Sequence, residues 1–281
     1  MQQQEWTIEI PVRRRVFSLG LRELWRYRDL IMLLVRRDFV AVYKQTILGP
    51  FWFLLQPLMT TLIFTIVFGN IIGISTGSVP KVLFYLSGVT IWNFFASSLT
   101  KNSEMFIANA GIFKKVYFPR LAVSAAALIV HSATFLLQFI LFALFCCYFW
   151  LEGMPIRLTA ATLLLPLLLM QVAALSFSVG ILVSSLTIKY RDLTFLTGFA
   201  VQLWMYATPI IYPVSLVPEN WQWLYAINPM VFIVEFFRHA FWDTGPVDFT
   251  RMAFSLLETI ILFFVAIKVF TRVERTFVDM V

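Results

Sequence analysis

Long runs without charged residues limit this chain to a membrane protein. A bilayer core takes about 20 consecutive apolar residues in a helix, and six runs come close to that length or exceed it. They are Phe51–Ile74, Val82–Thr100, Leu121–Leu151, Leu158–Ile188, Leu193–Pro218 and Met252–Ile267. Glu258 is the one acidic residue inside them. The sequence therefore predicts an all-α integral membrane protein with six transmembrane helices.

The basic residues between the runs predict the orientation of the chain. If the N-terminus lies inside the cell, 18 of the 22 Lys and Arg residues fall in inward segments. The four outward ones are Lys81, Arg157, Arg238 and Arg251. Basic residues resist translocation and favour the anionic cytoplasmic surface. We therefore expect a multi-pass protein of the cell inner membrane with cytoplasmic N- and C-termini and no cleavable signal peptide.

The chain before the first run has the character of an interface helix. We expect residues 1–46 to form a cytoplasmic N-terminal region and residues 47–281 to form the six-helix membrane domain. Within the first region, Leu21–Tyr43 shows the 3.6-residue period of an amphipathic helix lying in the interface plane. Its predicted apolar face carries Leu21, Leu24, Trp25, Met32, Val35, Phe39, Val42 and Tyr43. Two interpretations stay open, a simple membrane anchor and an anchor whose polar face also docks a cytoplasmic partner.

The inward connection Lys101–Arg120 is longer than a turn requires. Asn102 and Ser103 are typical helix-capping residues, and Gly111 is a residue type at which helices often end. We expect one short helix within residues 101–118. Its apolar side chains favour a surface that a partner grips, and a plain connector is the alternative.

The segment 208–243 is predicted to be broken. It contains Pro209, Pro213, Pro218 and Pro229, each of which lacks an amide donor and clashes with the preceding helical turn. The apolar stretch 230–242 is too short to span a membrane. We therefore expect one or two re-entrant helices before the last span. Trp and Tyr side chains in this segment suit the headgroup depth of the bilayer.

The motifs of covalent chemistry are missing from the sequence. It contains no GxxxxGK[ST] phosphate loop, GxSxG, HExxH or CxxC, so we expect a protein that is not an enzyme and holds no metal or cofactor. The net charge is +7, and the basic residues behind it line the cytoplasmic edge of the predicted spans. This placement argues against nucleic acid as a partner. Glu258 and His131 lie within apolar runs; proton coupling and ordinary interhelical hydrogen bonding are both open for them.

Several motifs give the chain a resemblance to a known family. They are YKQTILGPFW at 43–52, KKVYFPR at 114–120, KYRDL at 189–193, TPIIYP at 208–213 and NP at 228–229. Together they resemble the permease subunits of ABC-2-type exporters, in particular those that export lipid-linked polysaccharides such as O-antigen, capsule or teichoic acid.

The resemblance implies an assembly. Two copies would pair as a homodimer around a central path, and two copies of a separate ATPase subunit would bind ATP and Mg²⁺. Leu21–Tyr43 would be the interface helix, and Leu216–Trp242 would be gate helices at the outer end. The coupling helix that fits a groove of the ATPase would carry the contact residues Glu104, Phe106, Asn109 and Lys114.

Two further groups of residues are candidates for contact with the substrate. Sugar rings stack on aromatic side chains, so the expected channel and gate residues are Phe51, Trp52, Phe53, Trp204, Tyr206, Pro209 and Pro213. A lipid pyrophosphate carrier is anionic, so the expected entrance residues are the basic Arg36, Arg37, Lys44, Lys189 and Arg191. Interfacial anchoring and topology determination are the competing explanations.

The function predicted from the sequence is export of a lipid-linked polysaccharide, with O-antigen of lipopolysaccharide or capsule first, driven by ATP hydrolysis on another polypeptide. An ABC-2 exporter of drugs or lipids is the alternative within transport. A non-transporting membrane scaffold of glycan assembly is the alternative from another class.

Overall fold

The computed structural model describes residues 21–44, 47–113, 115–116, 118–154, 156, 159–242 and 248–280. Within these ranges every regular element is helical, which confirms the predicted all-α class. The helices are α1 (Leu21–Arg26), α2 (Arg28–Tyr43), α3 (Trp52–Phe64), α4 (Lys81–Ser103), α5 (Met105–Ala108), α6 (Ala110–Phe113), α7 (Leu121–Leu151), α8 (Leu165–Thr187), α9 (Leu193–Tyr206), α10 (Gln222–Ala226), α11 (Pro229–Phe241) and α12 (Phe249–Met280). A π-helical turn, Thr65–Ile71, extends α3.

Five helical segments of the described chain are long and apolar enough to cross a membrane. They are Gly49–Ile71, Lys81–Ser103, Leu121–Leu151, Ala160–Thr187 and Phe249–Glu274. Each overlaps one of the predicted runs, so five of the six predicted spans are found as long helices.

The remaining predicted span, Leu193–Pro218, which is the fifth in chain order, is not one continuous helix. Within it, α9 ends at Tyr206 after 14 residues. At 1.5 Å per residue it is about 21 Å long, against a hydrocarbon core of about 30 Å. Pro209 lies three residues beyond the end of α9. A proline has no amide N–H to donate the hydrogen bond that would continue a helix.

Helix α4 lies at the centre of the bundle. Most of its 23 residues are buried, and α3, α7, α8, α9 and α11 all pack around it. The approach of α8 is close enough to require a glycine, since a Cβ on Gly180 would stand 2.5 Å from Cβ of Asn102. Close backbone packing of this kind is how membrane helices associate where no water is displaced.

The buried apolar side chains form two clusters along the bundle. One includes Phe95, Phe142 and Phe237 and lies where the chain breaks between α9 and α10; we call this the break end. The other joins Leu34 of α2 and Phe106 of α5 to Phe270 of α12. It lies beside the segments rich in Lys and Arg, and we call this the basic end.

The N-terminal helix packs on the bundle through part of its predicted apolar face, with Leu24 and Val35 against the cluster at the basic end. The predicted single helix is interrupted at Tyr27, and α2 packs against α7. Leu34, which is outside the predicted apolar face, is buried, whereas Trp25 is 71% and Met32 62% exposed. Leu34 shares a cluster with Ala122 and Ala126, small residues near the start of α7. Residues 1–20 and 45–46 of the predicted N-terminal region lie outside the described residues.

Candidate functional site

The break end is built around a buried turn that follows α9. Thr208 and Ile210 are fully buried and Ile211 nearly so, yet the backbone there is not helical. A buried carbonyl without a donor is costly, more so in a membrane. The turn therefore needs donors from a neighbouring side chain.

Arg238 of α11 supplies these donors. Its Nη1 donates to the carbonyl oxygen of Pro209 at 2.6 Å, and its Nη2 donates to that of Ile210 at 3.0 Å. Toward α4, Nη2 also donates to the carbonyl of Phe84 at 3.2 Å, and Nε donates to Oγ of Ser87 at 3.3 Å. The guanidinium carbon stands 3.6 Å from the centre of the Phe84 ring, a cation–π contact. One side chain thus joins α11, α4 and the turn.

The charge of Arg238 is kept despite its burial. The residue is 6% exposed, and burial lowers the pKa of Arg238 to about 9, with Glu235 opposing the shift. This pKa is still above neutral pH, so the guanidinium stays positive. Burial also raises the pKa of Glu235, against the influence of Arg251 and Arg238.

Arg238 is the functional candidate that the sequence analysis missed. It was counted only among the outward basic residues, within the segment predicted to form re-entrant helices. A signal was present, since an arginine within the apolar stretch of α11, following four prolines, sits where a lone charge is unfavourable. Such a residue points to backbone acceptors nearby.

Asn228 ties the end of α9 to the start of α11. Its Oδ1 accepts from Nε1 of Trp204 at 3.0 Å and from the backbone N–H of Met230 at 3.1 Å, which caps α11. Its Nδ2 donates to the carbonyl of Ala207 at 3.1 Å and to Oγ1 of Thr208 at 3.2 Å. Trp204 also packs edge-on to Phe95 at 5.0 Å. The predicted channel residue Trp204 is thus an anchor of the break.

An apolar cavity of about 790 Å³ opens beside this anchor. Its aromatic lining consists of Trp204, Tyr206, Tyr212, Trp221 and Tyr225. The hydroxyls of Tyr212 and Tyr225 are hydrogen-bonded to each other. Two short helices, α10 and α11, are present in the predicted segment 208–243, of which residue 243 lies outside the described part. Their depth in a bilayer stays a prediction.

Of the predicted gate prolines, Pro209 is buried in the turn and Pro213 is half-buried at its end. Pro209 contributes the carbonyl that Arg238 binds most closely. Pro213 stands immediately before a short 3-10 turn, Val214–Leu216. Both residues therefore shape the break itself.

The first span has a smaller interruption at Pro57, inside α3. A proline here leaves the carbonyl of Phe53 without its helical donor, and Nε2 of Gln138 donates to that oxygen at 3.1 Å. Nδ2 of Asn93 in turn donates to Oε1 of Gln138 at 3.4 Å. Phe53 also stacks on Phe39 at 5.9 Å. The predicted channel residue Phe53 is therefore engaged with the protein.

The other two aromatic candidates of the first span, Phe51 and Trp52, are exposed at its start. They lie on the side of the bundle that also presents much of α3 without protein contact, with Met59, Leu62 and Ile63 exposed. These two side chains are free in the protomer to meet lipid, substrate or a second copy.

The predicted entrance residues stand in two separate places at the basic end. Arg36, Arg37 and Lys44 are exposed on or just after α2, and Lys189 and Arg191 are exposed between α8 and α9. Nε of Arg37 is 2.7 Å from Oδ1 of Asp38. Lys189 lies over the ring of Tyr190 at 5.2 Å.

The predicted coupling segment forms two four-residue helices, α5 and α6, in place of one. Phe106 is 1% exposed and stacks on Phe270 at 5.5 Å. Asn109 is buried and its Nδ2 donates to the carbonyl of Met105 at 3.0 Å. Glu104 is half-buried, and Lys114 lies outside the described residues. Phe106 and Asn109 therefore support the segment from within, where a docking partner cannot reach them.

The exposed side of the coupling segment carries apolar side chains together with Lys115. Ile107, Ile112 and Val116 are exposed there. Behind them, Nη1 of Arg120 donates to the carbonyl of Glu274 at 2.8 Å, which fastens the segment to the end of α12.

The polar groups of the last span also contact the break end. Nε2 of Gln171 donates to Oγ of Ser255 at 2.7 Å, and that hydroxyl donates to the carbonyl of Pro229 at 3.1 Å. Glu258 lines a cavity of about 240 Å³ with Glu235 and Arg251. In the part of the chain that the structure describes, no group of three or more His, Cys, Asp and Glu residues is suited to a metal ion. Proton coupling through Glu258 or His131 stays a prediction.

Comparison with known proteins adds the family. The ABC-2 type transporter family model matches residues 29–242. The chain is 27% identical over 252 residues to an O-antigen export system permease protein RfbA of Klebsiella pneumoniae, covering 89% of this chain and 94% of the relative. It is 22% identical over 263 residues to the O-antigen export system permease protein RfbA of Myxococcus xanthus, covering 92% and 98%. The match spans most of the chain, including α2 through α11, and the chain belongs to the ABC-2 type transporter family.

Proposed function

We propose that this chain is the permease subunit of an ABC exporter that moves a lipid-linked polysaccharide, with O-antigen as the first candidate, out of the cytoplasm. The observation that carries the proposal is similarity over 89% of the chain to permeases named for O-antigen export. The five apolar spans supply a membrane domain. A separate ATPase subunit, in two copies per transporter, would bind ATP and Mg²⁺ and drive the cycle.

The orientation follows from charge. The basic end carries α2, the coupling segment and the connection from α8 to α9, and the inward segments of the predicted topology hold 18 of the 22 Lys and Arg residues. We place this end in the cytoplasm and the break end outside the inner membrane, since basic residues are retained on the cytoplasmic side. The apolar stretch that ends at Tyr206 would then reach the outer surface through the turn that Arg238 holds.

A second copy of the chain would complete the path. In α9 only Thr197 and Val201 are buried, and Gln202 is exposed on this apolar helix. Gln56 is likewise exposed on α3. An amide side chain facing lipid would lack hydrogen-bond partners. A homodimer that brings α3 and α9 of both copies around a polar path would give these amides water, substrate or each other as partners.

The path would be lined with aromatic side chains at both ends. Phe51 and Trp52 are exposed at the start of the first span, and Tyr206 and Trp221 line the cavity at the break end. Ile74, which follows the first span, lines that same cavity, so the far ends of α3 and α9 approach each other. Aromatic faces hold sugar rings by stacking without fixing one register of a polymer.

The ATPase would dock on the exposed apolar side of the coupling segment. We assign the contact to Ile107, Ile112 and Val116, because they are exposed. Phe106 and Asn109 would fix the shape of that surface from behind. The stack of Phe106 on Phe270 would pass displacement of the segment into α12.

The basic residues at the cytoplasmic face would receive the carrier. Arg36, Lys44 and Arg191 are exposed and suit an anionic lipid pyrophosphate, at about 1 kcal/mol for each cation near an anionic surface. Arg37 is partly neutralised by Asp38 at 2.7 Å, so its substitution is expected to change carrier binding least.

The test of the function is the location of the polysaccharide in cells depleted of this chain. Immunolabelling of intact and of permeabilised cells separates surface glycan from glycan held inside. The proposal predicts a bare surface with lipid-linked polymer trapped on the cytoplasmic side, restored by the intact gene. Normal surface glycan together with sensitivity to exported compounds would replace the proposal with a drug or lipid exporter.

A further inference from the structure

The buried turn at the break end has few ways to satisfy its backbone. Residues 208–211 are buried and non-helical, and the carbonyls of Pro209 and Ile210 point into protein. Both receive hydrogen bonds from the two terminal nitrogens of Arg238, at 2.6 and 3.0 Å. A planar guanidinium offers five donors in a fixed fork and no acceptor, which matches adjacent carbonyls better than any neutral side chain.

The same guanidinium is fixed from the opposite side by α4. Phe84 provides a carbonyl at 3.2 Å and a ring face at 3.6 Å, and Ser87 provides its hydroxyl at 3.3 Å. All of these partners are uncharged, so the cation is held by dipoles and a ring. An ion pair with a neighbouring carboxylate is not what places it.

The space for this arrangement depends on a glycine. A Cβ on Gly88 would stand 3.0 Å from Nη2 of Arg238 and 3.0 Å from Cγ2 of Ile210. Any larger residue at position 88 would push the arginine or the turn away from α4. Arg238 thus provides the donors, and Gly88 leaves the space in which its guanidinium fits.

We propose that Arg238 is the positioning residue that closes the break end, by holding the turn at residues 208–211 against α4. While its hydrogen bonds are intact, α4, α11 and the turn form one body, and the end of α9 cannot separate from α4. Opening of this end proceeds either by movement of that whole body or by release of the guanidinium. The inference rests on the proposed function in one respect, which is that the break end belongs to a transport path.

The experiment measures how often the turn opens. Ile210→Cys places a thiol at a fully buried position in a background where Cys146 and Cys147 are replaced by Ser. The full-length permease with its ATPase, in membrane fragments open to both sides, is treated with a charged maleimide. The labelling rate follows the open population of the turn, whichever way the protein is oriented.

The variants compared in this background are Arg238→Lys, Arg238→Gln and Gly88→Ala, with Arg251→Ala as the matched control. Arg251 also lies at the break end and is half-exposed, so its replacement removes the same charge without touching the turn. Arg238→Lys keeps the charge but loses the fork, and Gly88→Ala leaves every donor in place while crowding the site.

The expected result is labelling of the introduced thiol about tenfold faster in Arg238→Gln, equivalent to ~1.4 kcal/mol in the opening equilibrium, with smaller increases in Arg238→Lys and Gly88→Ala. Arg251→Ala should label at the parental rate. Equal rates in Arg238→Gln, Gly88→Ala and the parent would overturn the inference. If Arg238→Gln does not accumulate in cells, the labelling rate of Gly88→Ala is compared with that of the parent. A rate equal to the parent's would then overturn the inference.

Glycan export measured in parallel separates this inference from the proposed function. If the parent exports no glycan but the variants label faster, Arg238 remains the closing residue and the proposed glycan export is rejected. Export by the parent, with labelling unchanged in the variants, would support glycan export and reject Arg238 as the closing residue.

Discussion

The interruptions at Pro57 and at Pro209 are resolved by the protein in different ways. Pro57 lies inside α3, which continues to Phe64. Pro209 follows α9, and no α-helix resumes in the described chain until Gln222. The first break is satisfied by a neutral amide from Gln138, the second by the guanidinium of Arg238.

The difference lies in how many carbonyls each break leaves to be satisfied. At Pro57 one carbonyl is freed, and one amide N–H is enough to let the helix continue with a bend. At Pro209 the turn buries two adjacent carbonyls, and the donor also bonds to α4. A break with one acceptor is therefore a local feature of its helix. A break with several acceptors connects neighbouring helices through its donor, so substitution of that donor costs more stability.

Replacement of Arg238 by Leu is expected to have the largest effect. It leaves buried carbonyls in the turn without donors, at about 1–3 kcal/mol each, so the free energy of unfolding should fall by ~3 kcal/mol or more. Thermal unfolding of the purified permease measures the loss. A variant within about 0.5 kcal/mol of the parent would mean that the turn finds other donors and that the two breaks do not differ.

Gly88→Ala tests the connection at Pro209 without removing a donor. The added methyl meets Nη2 of Arg238 and Cγ2 of Ile210 at 3.0 Å, and overpacking of this kind costs about 1–3 kcal/mol. Gly111→Ala is the matched control, because nothing lies within 4 Å of its Cβ position. Equal melting temperatures for the two variants would argue that the contact around Arg238 is loose.

The break at Pro57 predicts a smaller effect with a specific rescue. Gln138→Leu should cost about 1 kcal/mol, since membrane-buried side-chain hydrogen bonds average roughly 0.6 kcal/mol and one acceptor is left unsatisfied. In a Pro57→Ala background the alanine amide restores the donor to Phe53, so Gln138→Leu should become nearly neutral. A double-mutant cycle measures this coupling. Additive effects would show that Gln138 does not act through the Phe53 carbonyl.

Arg251→Ala is expected to have the smallest effect. Its guanidinium lies 3.9 Å from Glu235 with both side chains substantially exposed, and exposed ion pairs contribute about 0–1 kcal/mol. The unfolding midpoint should hardly move. A loss comparable to that of Arg238→Leu would mean that removing any cation from the break end is harmful, and the distinction between buried and exposed arginines would fail.

The fold was predictable as far as apolar length determines it. Five spans are found where uncharged runs stand, since a bilayer imposes length and composition directly on sequence. The run Leu193–Pro218 is equally apolar, and its failure to form one helix depends on where Pro209 falls. The side of α2 that packs on the bundle also includes Leu34, which lay outside the predicted apolar face, because hydrophobic period alone does not say which residues meet a neighbouring helix.

The candidate site was less predictable because burial of polar residues depends on tertiary contacts. Arg238 lies in a segment predicted to be re-entrant, and its role depends on hydrogen bonds to Pro209, Ile210, Phe84 and Ser87 that only the folded structure shows. Phe106 and Asn109 were predicted as coupling residues from the resemblance, and both are buried in the protomer. Trp204, predicted as a channel residue, lines the apolar cavity and also donates to Asn228.

The most direct test of the account is translocation in proteoliposomes that contain only this permease and its ATPase subunit. Fluorescently labelled lipid-linked O-antigen is supplied on the side bearing the ATPase, and its protection from an added glycosidase is followed. The account predicts that protected glycan accumulates with ATP and Mg²⁺, and not with a non-hydrolysable nucleotide. Hydrolysis of ATP with no glycan protected would contradict it.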